Sequence, residues 1–136
     1  MSRIQKIAAE LRTARETLTP VTPLADRWGE LTLRDAYHVQ RALVAPIPEG
    51  SDAWEDSEEA VPIAGYKLGM TSRAKMQQMG VHRPIYGLLP HGTSIDDRGD
   101  LSRGARIHPR VEPEVAIVLE RGVFTDHPLH EAWRCV

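Results

Sequence analysis

Residues 65–72 have the sequence Gly-Tyr-Lys-Leu-Gly-Met-Thr-Ser, which predicts a strand that turns directly into a helix. Lys67 stands between two glycines, so no β-carbon on either side keeps a ligand away from the backbone beside the cationic side chain. Thr71 and Ser72 are residue types that cap helices, and the free amides of a helix N-terminus favour an anion such as a substrate carboxylate. We expect an anion pocket here. A plain strand-to-helix turn with an exposed lysine explains the same residues and remains an open alternative.

A second segment, from Arg106 to Leu119, predicts a strand that carries two carboxylates. Glu112 and Glu114 leave the same face of such a strand, because side chains alternate along it, and two carboxylates so placed can share one hard divalent cation. The alternate positions form an apolar face of Val111, Val115, Ile117 and Leu119. The alternative is that Glu112 pairs with Arg110 on a wet surface, which is worth about 0–1 kcal/mol.

Length and composition indicate one soluble domain of 136 residues with a hydrophobic fraction of 41%. A net charge of -2 gives no basic field for nucleic acid, and no apolar stretch reaches membrane-spanning length. The single cysteine, Cys135, is consistent with a reducing compartment. We therefore expect a cytoplasmic protein with neither nucleic acid nor membrane as partner.

The order of predicted elements gives an α+β fold within one domain, residues 1–136. Residues 1–47 are predicted to be helical, with one amphipathic helix from Ile4 to Leu18 and a second that starts at Thr32 in a capping-box-like arrangement with Asp35. Residues 48–62 form an acidic loop, and residues 63–136 a strand-rich part with Lys67 and the Glu112/Glu114 strand. Within that part we expect strands at 63–68 and 85–89, a short helix at 73–79, and a final helix starting near Thr125.

Other candidate sites are weaker. His127 and His130 have a spacing that allows one metal on a helix, but exposed histidines near a terminus are the simpler interpretation. Cys135 has no evident base beside it, which disfavours a nucleophilic role.

Five groups of residues together resemble the hydratase/decarboxylase branch of the fumarylacetoacetate hydrolase superfamily. The resemblance rests on Asp35-Ala36-Tyr37-x-x-Gln40, Gly65-x-Lys67-x-Gly69-x-Thr71-Ser72, Lys75-Met76-x-Gln78-Met79-Gly80-Val81, Pro84-Ile85-Tyr86-Gly87 and Ile107-His108-Pro109-x-Val111-Glu112-x-Glu114. It implies a fumarylacetoacetate hydrolase-like fold in which Glu112 and Glu114 bind Mg²⁺ or Mn²⁺. It also implies that Lys67 is the active-site lysine, with Thr71 and Ser72 on the substrate side.

Within this branch the chain is more similar to 4-oxalocrotonate decarboxylases than to 2-hydroxypenta-2,4-dienoate hydratases. The hydratases carry an acidic residue directly after the proline, where it can assist proton transfer, whereas this chain has Ile85. The resemblance implies a carbon-carbon lyase that decarboxylates 4-oxalocrotonate, a small 2-oxo dicarboxylate, in the catechol meta-cleavage pathway. Hydration remains the alternative.

Members of the family are longer than this chain, and the resemblance implies that their third acidic metal ligand and further strands lie beyond Val136. We therefore expect an N-terminal portion with exposed apolar surface, weakly active or inactive alone. Homo-oligomers and a complex with the pathway hydratase are implied as partners. A non-catalytic, truncated family member that serves as an interaction module is the alternative.

Overall fold

A computed structural model describes residues 1–44 and 63–120 of the chain. Within these ranges it has mixed α+β structure, as predicted, with four α-helices, a two-stranded antiparallel sheet and a 3-10 turn at Arg103–Ala105. The helices are α1 (Arg3–Thr17), α2 (Leu24–Trp28), α3 (Leu33–Val44) and α4 (Arg73–Gln78), and the strands are β1 (Ile63–Gly69) and β2 (Ile85–Pro90). Among the described helices, none is long and apolar enough to cross a membrane.

Helices α1 and α3 pack together and form the hydrophobic core of the described residues. Their apolar stripes meet because apolar residues recur every three to four positions along each helix. At the helix start, the Ser2 hydroxyl accepts from the Gln5 amide and the Gln5 side chain accepts from the Ser2 amide, which is a capping box. The buried core residues are Ile7, Ala8, Val39 and Ala42.

Helix α2 was not expected from the sequence, which predicted helices only from Ile4 to Leu18 and from Thr32. Pro23 immediately precedes the helix, and proline is well tolerated at such a start because the first amides have no helical acceptor. Glu10 of α1 holds the short helix in place: its carboxylate accepts from the Trp28 indole at 3.0 Å and pairs with Arg27. Packing against α1 thus stabilises a helix too short to form alone.

The predicted capping of α3 is confirmed. The Thr32 hydroxyl accepts from the Asp35 amide at 3.1 Å, and the Asp35 carboxylate accepts from both the amide and the hydroxyl of Thr32. These contacts satisfy amides that the first helical turn leaves free. The carboxylate also lies near the positive end of the helix dipole.

Strands β1 and β2 form an antiparallel pair in which Lys67 lies opposite Gly87 and Gly69 opposite Ile85. The register is irregular between Ile63 and Gly65. A β-carbon built on Gly69 would lie 3.3 Å from Cγ1 of Ile85. The absence of a side chain at position 69 therefore leaves room for Ile85 of the neighbouring strand.

Helix α3 covers the outer edge of β2 through two side chains. Gln40 donates to the Tyr86 carbonyl at 3.2 Å and accepts from the Leu88 amide at 3.0 Å, while the Tyr37 hydroxyl accepts from the Tyr86 amide at 3.3 Å. The rings of Tyr37 and Tyr86 stack with centroids 4.3 Å apart. An unpaired strand edge presents free backbone groups, and these contacts satisfy three of them.

The predicted strand from Arg106 to Leu119 is wrong for the structure described here. The segment follows the 3-10 turn, His108 has a left-handed φ of 47°, and residues 111–119 have no regular secondary structure. Pro109 and Pro113 lack the amide that a strand ladder needs. No strand among residues 1–44 and 63–120 pairs with the segment, so its alternating side chains remain uncovered, and Val111 and Val115 are each 93% exposed.

Several sequence-based expectations fall outside the described residues. They are the acidic loop at 48–62, the helix starting near Thr125, and the candidate residues His127, His130 and Cys135.

Candidate active site

The structure brings together the three side chains that the sequence singled out as an ionic site. The ammonium of Lys67, on β1, lies 2.9 Å from Oε2 of Glu112 and 2.5 Å from Oε1 of Glu114. Both carboxylates thus converge on one cationic atom, although the segment that carries them is not in a sheet. Their spacing in the sequence predicted that Glu112 and Glu114 leave the same side of the chain, and the family resemblance placed Lys67 in the same site.

The electrostatics of this cluster favour the charged forms of Lys67 and Glu112. The hydrogen bonds that the Lys67 ammonium donates to Glu114 and, to a lesser extent, to Glu112 raise the pKa of Lys67 above its ordinary value. The hydrogen bond from Lys67 lowers the pKa of Glu112, and Arg110 contributes further at longer range. Lys67 is therefore the ionic partner of Glu112, and the sequence-based pairing with Arg110 is a secondary influence.

The cluster lies on an open surface rather than in an enclosed pocket of the described residues. The side chains of Lys67, Glu112 and Glu114 are 46%, 61% and 57% exposed. Tyr66 and Leu68, the neighbours of Lys67 on β1, are also mostly exposed, and Tyr66 packs edge-on against the Tyr86 ring. The ionic groups meet without the apolar cover that would strengthen their interactions.

A separate depression of about 300 Å³ lies beside α4 and is lined by other residues. None of the three ionic side chains contributes to it. Its lining consists of Arg73, Met76, Gln77, Gly80, Val81 and His82.

The turn after β1 places Thr71 and Ser72 at the start of α4. Met70 adopts a left-handed φ of 56°, which reverses the strand direction before the helix begins. Of the two candidate caps, Ser72 performs the role: its hydroxyl accepts from the Lys75 amide at 3.2 Å. Both residues are exposed. The hydroxyl of Ser72 is thus already engaged with the helix, and any ligand contact there is additional to capping.

Tyr37 and Gln40 are important residues whose role sequence reasoning did not find. Both belong to a group of residues on which the family resemblance rests, but the sequence analysis assigned neither of them a contact. Their contacts hold β2, and β2 in turn pairs with the strand that carries Lys67. A polar Gln on an otherwise apolar stripe was the available signal, because a half-buried amide requires hydrogen-bond partners.

The ionic cluster fits part of a divalent-cation site. Two carboxylate oxygens already converge on a single positive atom, and oxygen donors of this kind are the ligands that Mg²⁺ and Mn²⁺ prefer. Within residues 1–44 and 63–120 no cluster of three or more His, Cys, Asp or Glu side chains has the spacing of a metal site. Glu112 and Glu114 would supply two of the oxygen ligands of such an ion.

Comparison with curated proteins finds relatives of two kinds. The chain is 32% identical to 4-oxalocrotonate decarboxylase of Pseudomonas putida over 120 residues, covering 85% of this chain and 40% of the relative. It is 30% identical to the same enzyme of Pseudomonas sp. strain CF600 over 132 residues, covering 94% of the chain and 43% of the relative. It is 31% identical to 2-keto-4-pentenoate hydratase of Paraburkholderia phymatum over 125 residues, covering 92% of the chain and 44% of the relative.

The chain thus spans about two fifths of the length of these relatives. No protein-family model and no solved structure matches it. The similarity extends over most of the chain and includes both decarboxylases and hydratases. By this similarity the chain belongs to the hydratase/decarboxylase family.

Proposed function

We propose that the chain takes part in the metal-dependent decarboxylation of 4-oxalocrotonate to 2-hydroxypenta-2,4-dienoate, with Mg²⁺ or Mn²⁺ held by Glu112 and Glu114. The observation that carries the proposal is the position of the Lys67 ammonium, 2.9 Å and 2.5 Å from the two carboxylates. The names of the decarboxylase relatives support the reaction. The pathway is the breakdown of aromatic compounds by catechol meta-cleavage, and the expected location is the cytoplasm.

The chemistry of the reaction suits these side chains. Loss of the distal carboxyl group as CO₂ leaves an electron pair that delocalises through the intervening double bond onto the keto oxygen. A divalent cation bound at Glu112 and Glu114 would supply a Lewis acid for that oxygen. The ammonium of Lys67, on the same surface, would orient the bound substrate and stabilise negative charge that develops there. The start of α4 at Ser72 would help to orient a substrate carboxylate.

Hydration of 2-hydroxypenta-2,4-dienoate is the second candidate, because a hydratase relative has nearly the same identity as the decarboxylases. Ile85 favours decarboxylation. Its side chain lies against Gly69, so the position after Pro84 presents an apolar group where a hydratase requires an acid for proton transfer. Turnover of the dienoate in preference to the dicarboxylate would reverse this assignment.

The test is the variant Lys67→Ala, assayed for 4-oxalocrotonate consumption with Mg²⁺. We expect turnover to fall by about 10²–10³-fold, as when one transition-state donor is removed, while metal binding persists. The matched control is Lys75→Ala, which removes an exposed lysine of α4 that bonds only Gln78 among the described residues. Equal turnover in the unaltered chain and the Lys67→Ala variant would remove Lys67 from the mechanism.

The partners proposed for the chain are a second copy of itself and the pathway hydratase. The exposed apolar positions of residues 111–119 support association, since soluble proteins seldom leave such patches uncovered. Size-exclusion chromatography with and without the hydratase tests this proposal. A compact monomer that binds Mg²⁺ tightly would contradict it. A folded chain without metal affinity would favour the alternative, a non-catalytic interaction module.

A further inference from the structure

The ammonium of Lys67 occupies the position between the carboxylates where a shared divalent cation would bind. It contacts Oε2 of Glu112 at 2.9 Å and Oε1 of Glu114 at 2.5 Å, so one oxygen of each carboxylate is directed at the same positive atom. An ammonium sits about 2.7–2.9 Å from a carboxylate oxygen, and Mg²⁺ about 2.0–2.1 Å. The two cations therefore need the same oxygens at overlapping positions.

The position of the lysine also offsets the repulsion between two neighbouring carboxylates. Glu112 and Glu114 lie on the same side of the chain, and like charges at short range repel. The ammonium contacts both and offsets this repulsion. The ammonium is thus an internal counter-ion for two carboxylates that would otherwise repel each other.

The side chain of Lys67 can leave that position without disturbing the pairing of β1 with β2. Its backbone is fixed by pairing of β1 with β2 opposite Gly87, whereas its side chain is 46% exposed. In the described part of the chain, its ammonium makes hydrogen bonds or ion pairs with Glu112 and Glu114 and with no other side chain. A four-carbon stem on a fixed strand allows the charge to move while the backbone stays in place.

We propose that Lys67 and the divalent cation exchange at the two carboxylates, so that metal binding displaces the ammonium and releases it toward the substrate. This inference rests on the proposed function for the identity of the metal and deepens it by setting an order. The metal arrives first, and only then is the lysine available. Before that, the lysine lowers the apparent affinity of the site for the metal, because the carboxylates are competent to bind it only when the ammonium has left.

The first experiment measures the affinity of the chain for Mn²⁺ by calorimetric titration. If the ammonium holds both carboxylates roughly nine-tenths of the time, Lys67→Gln should tighten Mn²⁺ binding about ten-fold. Lys67→Arg keeps the charge and should stay within a few-fold of the unaltered chain, and Lys75→Gln is the matched control for loss of a distant lysine. No tightening in Lys67→Gln would overturn the proposal.

The second experiment separates displacement from simple repulsion between two cations that remain side by side. The ammonium groups of lysine are followed by ¹⁵N NMR during addition of Mg²⁺, with binding confirmed by calorimetry. We expect Lys67 to give a protected ammonium signal without metal and to exchange with water as rapidly as Lys75 once Mg²⁺ saturates the site. A Lys67 signal that keeps its position and exchange rate at saturation would overturn the proposal.

The two outcomes distinguish this inference from the proposed function. A chain that exchanges Lys67 for Mg²⁺ but whose measurable turnover of 4-oxalocrotonate is unchanged in Lys67→Ala would contradict the proposed function alone. An active chain whose Lys67 signal does not respond to Mg²⁺ would contradict the exchange alone.

Discussion

The α1–α3 pair and the segment that carries Glu112 and Glu114 differ in what holds them in place. The helices share a core in which Ile7 is fully buried, and their ends are capped by their own side chains. The acidic segment has its apolar side chains in solvent and is tied to β1 by charges on an open surface. One region is stabilised by burial, the other by ion pairs.

The difference shows that the α1–α3 pair and the segment with Glu112 and Glu114 are stabilised by different interactions. Exposed ion pairs are typically worth only about 0–1 kcal/mol, whereas burial of one large aliphatic side chain is worth about 1.5–3 kcal/mol. The helical region should therefore determine the stability of the described residues. The acidic segment should be free to rearrange when a ligand or metal changes its charge balance.

The test of this comparison with the largest expected effect replaces a buried aliphatic residue and an exposed one in separate variants. Ile7→Ala should lower the free energy of unfolding by about 2–5 kcal/mol, because it removes a fully buried side chain and leaves a cavity. Val115→Ala, at a position that is 93% exposed, should change it by less than about 0.5 kcal/mol. Urea unfolding followed by helical circular dichroism gives both values. A large loss in Val115→Ala would mean that residues 111–119 are packed in solution.

A test of intermediate size asks how firmly the helical region holds the sheet. Gln40→Ala removes both hydrogen bonds to β2 and leaves the Leu88 amide without its partner, so we expect a loss of about 1–3 kcal/mol. Gln77→Ala, on the exposed face of α4, is the control. The same unfolding curves report the effect, and equal stability of the two variants would mean that α3 and β2 do not depend on each other.

The smallest test concerns pH and the cap of α3. Hydrogen bonds from Thr32 hold the pKa of Asp35 below its ordinary value of 3.8. Because the folded pKa is depressed, its contribution to stability is present above about pH 3.8 and is lost as the pH falls through the lower, folded value. In thermal unfolding, the unaltered chain should have a higher midpoint temperature than Asp35→Asn at pH 7, and this difference should become smaller toward pH 3. A difference in midpoint temperature that does not change with pH would exclude a charged cap.

Local patterns predicted much of the fold. The stripe of α1, the Thr32–Asp35 cap, the two strands and the Ser72 cap all depend on neighbours in sequence, and the structure has each of them. Helix α2 was missed because its stability comes from Glu10, a distant residue.

The strand from Arg106 to Leu119 was wrong for a related reason. Alternation indicates which faces a strand would present, but it does not indicate whether a partner strand is available, and the left-handed backbone at His108 has no signature in the sequence. The approach of Lys67 to the two carboxylates was predictable from spacing and the family resemblance together. Its open surroundings were not, since exposure depends on tertiary contacts.

The contacts that Tyr37 and Gln40 make with β2 also determine at which edge the sheet can be extended. They bond to backbone groups of Tyr86 and Leu88 on the side of β2 that faces α3. When a residue of an antiparallel pair directs its N–H and C=O groups away from the partner strand, the residue opposite it does the same on the other side. Tyr66 and Leu68, the partners of Leu88 and Tyr86, therefore turn theirs toward the opposite flank. Any strand that extends this sheet must add beside β1, so growth is one-sided and begins next to the strand that bears Lys67.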